Sequence, residues 1–416
     1  MPPPTPVPVL SRDATRDDPG LPRSLMAIFL RFLRFGLLAW GGPTAQIAML
    51  KQELVDEERW IEPDKFNRVL AVYQVLPGPE AMELCCYFGT LRAGRLGGLV
   101  AGLAFVLPGL VFMLGLAALY AAYGLSNPWA LAALAACQPA VVALVARGAY
   151  RIGRHALDEP MLWAAAAVSV WAAFTGVHFA LVLALSGAAV ALSTKDQWLG
   201  FFILAALASA GLVIGPLDYF GTLAAALAVK GQTVAPEPIG LFGLFASGLK
   251  AGMLSFGGAY TALPFLQADS VNAANAWLKQ PQFLDGLALG GVIPAPLVII
   301  SAFVGYMGGG LAGGLVCAAG MFLPAFAFTL LGHRRLEAVI DDERLHAFLA
   351  GVTAGVVGLI AATGIDMLLL FRGPRAWLIF AVALAAVCLW KSRWATPVVV
   401  LTAAASGILW RLLAGA

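Results

Sequence analysis

Residues 35–42 read FGLLAWGG and residues 251–258 read AGMLSFGG, so a Gly-Gly pair closing an apolar run occurs twice, 216 residues apart. VLPGP at 75–79 returns as VIPAP at 292–296, displaced by 217, and LRAGRLGGLVAGLAFVLPGL at 91–110 returns as GGGLAGGLVCAAGMFLPAF at 308–326, displaced by 216 again. Three motifs in register, with one single-residue slip, mark an internal duplication of a long apolar unit. Each copy is interrupted by Gly and Pro at matching places. Such doubled, interrupted apolar units are built around a site between the two copies.

Of the 416 residues, 61% are hydrophobic and 12% charged, against roughly 45–50% and about 25% in soluble domains. Runs such as 161–192, 198–230, 346–371 and 376–415 exceed the roughly 20 residues that cross a hydrocarbon core. In lipid the backbone must satisfy its own hydrogen bonds, and these runs lack the period-two alternation of a barrel. The expected fold is an all-α polytopic membrane protein of two homologous inverted-topology repeats, with about 10–14 transmembrane helices, 13 by our count, some broken by Gly and Pro. The expected divisions are a disordered cytoplasmic tail at 1–24, a first repeat at 25–195, a linking membrane segment at 196–239 and a second, inverted repeat at 240–416. A net charge of +3 fits Lys and Arg in cytoplasmic loops, with no nucleic-acid motif.

Inversion is read from loop charge. Arg147, Arg151, Arg154 and His155 read as a basic cytoplasmic loop, which places the Arg92–Arg95 turn inside and the uncharged loop at 123–129 outside. In the second copy the partner of the Arg92 turn, 305–314, carries no charge, and the partner of the uncharged loop, 333–344, is rich in Arg. Arg372 and Arg375 then fall outside, against the rule.

No phosphate-binding glycine motif and no His-rich metal spacing occurs, which argues against an ATP-driven pump or a metalloenzyme; no cofactor is expected. Cys85, Cys86, Cys137, Cys317 and Cys388 read as small core hydrophobes, the Cys85–Cys86 pair alone admitting redox chemistry. The breaks carry the candidate chemistry. Pro43, after Gly41-Gly42, suits the first position of a short helix whose exposed N–H groups at Thr44, Ala45 and Gln46 attract an anion. Ser255, Gly257, Gly258, Tyr260 and Thr261 repeat the device in the second copy. Pro77-Gly78-Pro79 and Pro294-Ala295-Pro296 read as unwound or re-entrant tips. Glu80 and Glu83 are carboxylates at membrane depth, where a charge is costly and a proton-carrying role common; the alternative is a helix N-terminal carboxylate at the interface. Arg31, Arg34 and Lys250 read either as attractors of an anion or as snorkelling anchors, and the charged stretch 51–68 as a surface helix.

WGGPTAQIAML, then LPGPE followed by YFGTLRAG, then FGGAYTALPFLQ resemble the chromate ion transporter family in its long, two-domain form. The resemblance implies a carrier of chromate, with sulfate as a related tetrahedral dianion, in the bacterial inner membrane. It implies efflux that confers chromate resistance, driven by the proton motive force with protons as the coupling ion, and admits a homodimer. Its signatures fall on Gly41, Gly42 and Pro43, on Pro77, Gly78 and Pro79, and on Phe256, Gly257, Gly258 and Tyr260. Trp40 stands where Phe is usual, Gln46 where His is frequent, and Ala295 where Gly is frequent. Uptake or exchange of sulfate or another oxyanion is the alternative within transport. A membrane-embedded redox enzyme acting on chromate through Cys85–Cys86 is the alternative of another class.

Overall fold

The computed structural model describes residues 24–124, 126–228, 239–256, 259–271, 276–340, 343–390, 392 and 394–414. The expected tail at 1–24 and the pair Gly257-Gly258 therefore lie outside the described residues, apart from Ser24. Among them the chain is helical. The first half runs through α1 (Leu25–Leu37), α2 (Pro43–Leu50) with a π-helical extension (Lys51–Glu57), α3 (Pro63–Val75), α4 (Glu80–Leu119), α5 (Pro128–Ala156), α6 (Pro160–Phe174) and α7 (Phe179–Ser193). After α8 (Gln197–Ala228), the second half repeats the order as α9 (Leu241–Met253), α10 (Leu263–Ser270), α11 (Gln280–Val292), α12 (Ile300–Ile340), α13 (Glu343–Leu369), α14 (Pro374–Leu389) and α15 (Ala395–Ala414).

The starts follow local chemistry. Pro stands at the first turn of α2, α3, α5, α6, α10, α11 and α14, where its missing N–H costs nothing. Asn127 caps α5 by accepting the N–H groups of Trp129 and Ala130.

α4 is a hairpin rather than one rod. Ala93 and Gly94 leave helical geometry, Gly94 at φ +63°, and a Cβ on Gly97 would lie 2.4 Å from the carbonyl oxygen of Gly89. Residues eight apart in a continuous helix are about 12 Å apart along the axis, so the chain reverses. We call its arms α4a (80–92) and α4b (95–119). Gly309 and Gly310 do the same in α12, where Gly305 meets Gly313, giving α12a (300–308) and α12b (311–340). The Arg92 guanidinium stacks on Trp60 at 4.3 Å, so α3 begins at the end of the molecule where α4a finishes, and the pair is re-entrant. Arg31 in the middle and Arg34 in the last turn of α1 pair with Glu58 and Glu53 beyond α2, so the chain after α2 comes back alongside α1. The apolar segments of each half are thus not all crossings.

Inversion is visible in the contacts of equivalent helices. Gly98 lies against Leu330, Gly102 against Phe326 and Gly314 against Leu114, so α4b and α12b run antiparallel. Shifted by 216 residues, the first contact becomes the third. A two-fold axis therefore crosses these spanning helices midway, near Val106 and Phe322, and lies in the plane of the membrane. Val145 facing Gly364 and Gly153 facing Val357 show the same for α5 and α13, which cross near Arg147 and Thr363.

Three sequence expectations are corrected. Arg147, Arg151, Arg154 and His155 are not a loop; they form the last turns of α5, since neither a proline nor a Gly-Gly pair falls between Arg147 and Leu157. The stretch 51–68 is not one surface helix but π-helical turns, a break and the start of α3. Cys85, Cys86, Cys137 and Cys317 are buried, whereas Cys388 is exposed.

Candidate functional site at the hairpin tips

The tips of the two halves meet. The Gly78 N–H donates to the Ser255 carbonyl at 3.0 Å, and Pro77 pairs with Phe256 in an isolated antiparallel bridge. Pro at 77 and 79 leaves these carbonyls and N–H groups without helical partners, so the broken strand of one half satisfies those of the other. Because Cys86 lies against Gly102, Glu83, one turn earlier, is level with the two-fold near Val106. The Pro-Gly-Pro tip therefore lies at the middle of the membrane.

Each tip also fits a notch in the opposite half. A Cβ on Gly109 of α4b would sit 2.4 Å from that of Ala295, and one on Gly78 would sit 3.0 Å from that of Ala325. Gly109 and Ala325 are related by the repeat, as are Gly78 and Ala295. Each contact contains one Gly and one Ala, so the departure to Ala295 is accommodated by Gly109.

α2 starts where expected: Gly42 at φ +78° turns the chain and Pro43 opens the helix. The Gln46 N–H, expected to be free, donates to Gly42 O at 3.1 Å. Its side chain is buried and donates to Ala39 O at 2.9 Å. Pro43 and Thr44 instead face a cavity of about 390 Å³ whose wall also holds Gln74, Glu80, Arg151, His155 and, from the second half, Thr353. The cavity reaches Ala156 at the end of α5, beside exposed His155.

Arg151 supplies the positive charge. Neither Arg147 nor Arg151 has a carboxylate partner among the described residues. Arg151 acts electrostatically on Glu80, and both guanidinium groups act on Tyr260, whose ring packs on Gly148. Glu80 is 8% exposed; Glu83 is wholly buried with both oxygens unpartnered. Glu83 Oε1 would lie 2.8 Å from a Cβ at position 78, where Gly adopts φ +154°.

The structure thus brings Pro43, Thr44 and Glu80 into one cavity and Tyr260 to its arginines. Gly41, Gly42, Pro77, Gly78, Pro79 and Ser255 form the breaks around it. Thr261 is buried, and Pro294 and Pro296 lie on the other tip. Arg31 pairs with Glu53 and Glu58, Arg34 with Glu53, and Lys250 with Asp269, so their charges are answered locally. Sequence reasoning missed Arg147, Arg151 and His155 as site residues. Their spacing of four was the available signal, since it puts all three on one helical face.

The repeat-related positions carry no charge: Arg147 corresponds to Thr363, Arg151 to Met367, His155 to Phe371 and Glu80 to Leu297. Met367 is fully buried. On the opposite side, a different polar link joins the halves. Asp285 accepts from Tyr120 at 2.9 Å and Gln138 at 3.0 Å.

No solved structure matches the chain. It is 47% identical over 409 residues to a chromate transport protein of Pseudomonas aeruginosa, covering 97% of this chain and 96% of that one. It is 30% identical to a chromate transport protein of Cupriavidus metallidurans, with 93% of each covered. A probable chromate transport protein of Synechococcus elongatus is also 30% identical, over 81% of this chain and 83% of that one. The chromate transporter family model matches twice, at residues 26–192 and 242–408, once per half. A duplicated, inverted membrane protein with these matches belongs to the chromate transporter family.

Proposed function

We propose that the chain exports chromate across the bacterial inner membrane, and that the cavity between α2, α4a and α5 is where the anion binds. The observation that carries this is Arg151, a cation without a carboxylate ion-pair partner among the described residues, lining the same cavity as the N-terminus of α2. Chromate is a tetrahedral dianion; a guanidinium fork and free helix N–H groups match its oxygens. Thr44 adds a hydroxyl, and Arg147 adds charge from the crossing of α5 and α13.

Glu80 sets the linkage to protons. An ionised Glu80 offsets the charge of Arg151 in the cavity and repels the anion; a protonated Glu80 does neither. Anion binding and proton uptake are therefore favourable together. With the basic end of α5 inside, the cavity is loaded from the cytoplasm, and the membrane potential drives an anion outward by about 2.3 kcal/mol per charge per 100 mV. A proton on Glu80 lowers the exported charge from two to one. Access alternates as the tip contacts Gly78–Ser255 and Gly109–Ala295 part and reform.

Flux of labelled chromate into inverted vesicles tests this, with membrane potential and pH gradient imposed separately and sulfate as competitor. Potential-dependent uptake that sulfate competes for is expected. Uptake indifferent to both gradients overturns the coupling, and no uptake overturns transport of chromate itself.

A further inference from the structure

A second charged cavity lies at the other end of α5. It has a volume of about 330 Å³ and is lined by Arg372, Arg375 and Arg411, with Trp410 and the small residues Ala132, Ala136 and Gly407. Ala132 and Arg151 are 19 residues apart on α5, roughly 28 Å along the helix. The two cavities therefore open on opposite faces of the membrane.

Three guanidinium groups converge there with no carboxylate partner among the described residues. Two of them are held in place by aromatic stacking and one carbonyl. Arg375 lies 4.5 Å over Trp410 and donates to Ser406 O at 3.4 Å; Arg411 lies 5.4 Å over Trp129, and its Nε is buried without a partner. Like charges so gathered are mutually repulsive until an anion joins them.

The inverted repeat supplies an internal control. The cavity related to this one by the two-fold, between α6, α7 and α13, is lined by Asp158, Glu159 and His346. Glu159 is the counterpart of Arg375. Lys195, counterpart of Arg411, is not among its lining residues. The fold makes the recess; the sequence made one copy basic and the other acidic. Arg372 and Arg375 are also the residues that stand against the positive-inside pattern, which a specific role at that face accounts for.

We propose that Arg372, Arg375 and Arg411 form a site for the phosphate of an anionic phospholipid headgroup in the leaflet opposite the transport cavity. The lipid is favoured over a soluble oxyanion by the surroundings. Trp129, Trp377 and Trp410 are exposed beside the site, as are Leu378, Leu409 and Leu412, the aromatic and aliphatic fringe of a headgroup region.

Native mass spectrometry of the purified full chain in micelles carrying phosphatidylglycerol or phosphatidylcholine tests this. Arg372→Gln/Arg375→Gln/Arg411→Gln is expected to weaken phosphatidylglycerol retention by at least about tenfold, leaving phosphatidylcholine unchanged. Glu159→Gln, in the related cavity, is expected to have no effect. Arg375→Gln alone, a milder change, is expected to weaken retention severalfold should the triple variant not fold. Equal phosphatidylglycerol retention by wild type and the Arg375 variant overturns the site. Displacement of the lipid by excess free sulfate overturns the lipid assignment in favour of a soluble oxyanion.

Discussion

Arg151 is the residue on which the proposed site turns, and it was visible in the sequence as a charge but not as a site. Positive charge after an apolar run is ordinarily read as the end of a span. Only the cavity shared by α2, α4a and α5 places that guanidinium with Thr44 and Glu80. Arg151→Gln is expected to lower chromate flux at least about tenfold, the scale of one lost charge-assisted hydrogen bond. Arg151→Lys, which keeps charge but loses the planar fork, is expected to recover only part. Vesicle flux at matched protein level checks both. At Gly42 a Cβ meets nothing within 4 Å, yet φ is +78°. Gly42→Ala is therefore expected to act through backbone strain of about 1–3 kcal/mol and to reduce flux without preventing insertion. Wild-type flux in that variant would show the turn to be unnecessary.

At the scale of elements, the re-entrant hairpins are fixed by their notches. Pro-Gly-Pro and Pro-Ala-Pro announce a break wherever they occur, because Pro removes a donor and fixes φ. They do not announce whether the chain then continues across the membrane or turns back. The Gly89–Gly97 and Gly305–Gly313 approaches decide for return, and the sequence shows these glycines only as small-residue spacing common to many spans. Gly109→Ala would push a methyl to 2.4 Å from Ala295, an overpacking cost of about 1–3 kcal/mol. Its melting temperature in detergent is expected to fall, and Ala295→Gly in the same chain to restore it. Absence of that rescue would mean the tip does not dock on α4b.

At the scale of the whole molecule, the inverted two-fold makes a labelling prediction. Arg154 and Leu370 are related by the repeat and both are exposed at helix ends. In a chain with the exposed Cys388 replaced by Ala, Arg154→Cys is expected to react with an impermeant maleimide from the cytoplasmic face only. Leu370→Cys is expected to react from the opposite face only. Reaction of both from one face would remove the inversion. A second expectation concerns the redox alternative: Cys85→Ala/Cys86→Ala is expected to retain chromate flux, because both thiols are buried and neither lines the cavity.

Duplication, helical class, the places where helices break and the opposite sense of the halves were all legible in the sequence. They rest on local rules: the backbone must satisfy itself in lipid, Gly-Gly pairs and Pro-x-Pro motifs interrupt helices, and loop charge follows orientation. Which segments cross, which return, and which charges share a cavity were decided by tertiary structure alone. A broken apolar segment satisfies its local rules equally well as a crossing or as a hairpin, and contacts between the halves choose. The same contacts put Arg151 of α5 beside Glu80 of α4a and left Met367 and Leu297 in the related place. The pseudo-symmetry is thereby broken at this cavity, whose charged residues have uncharged counterparts in the other half.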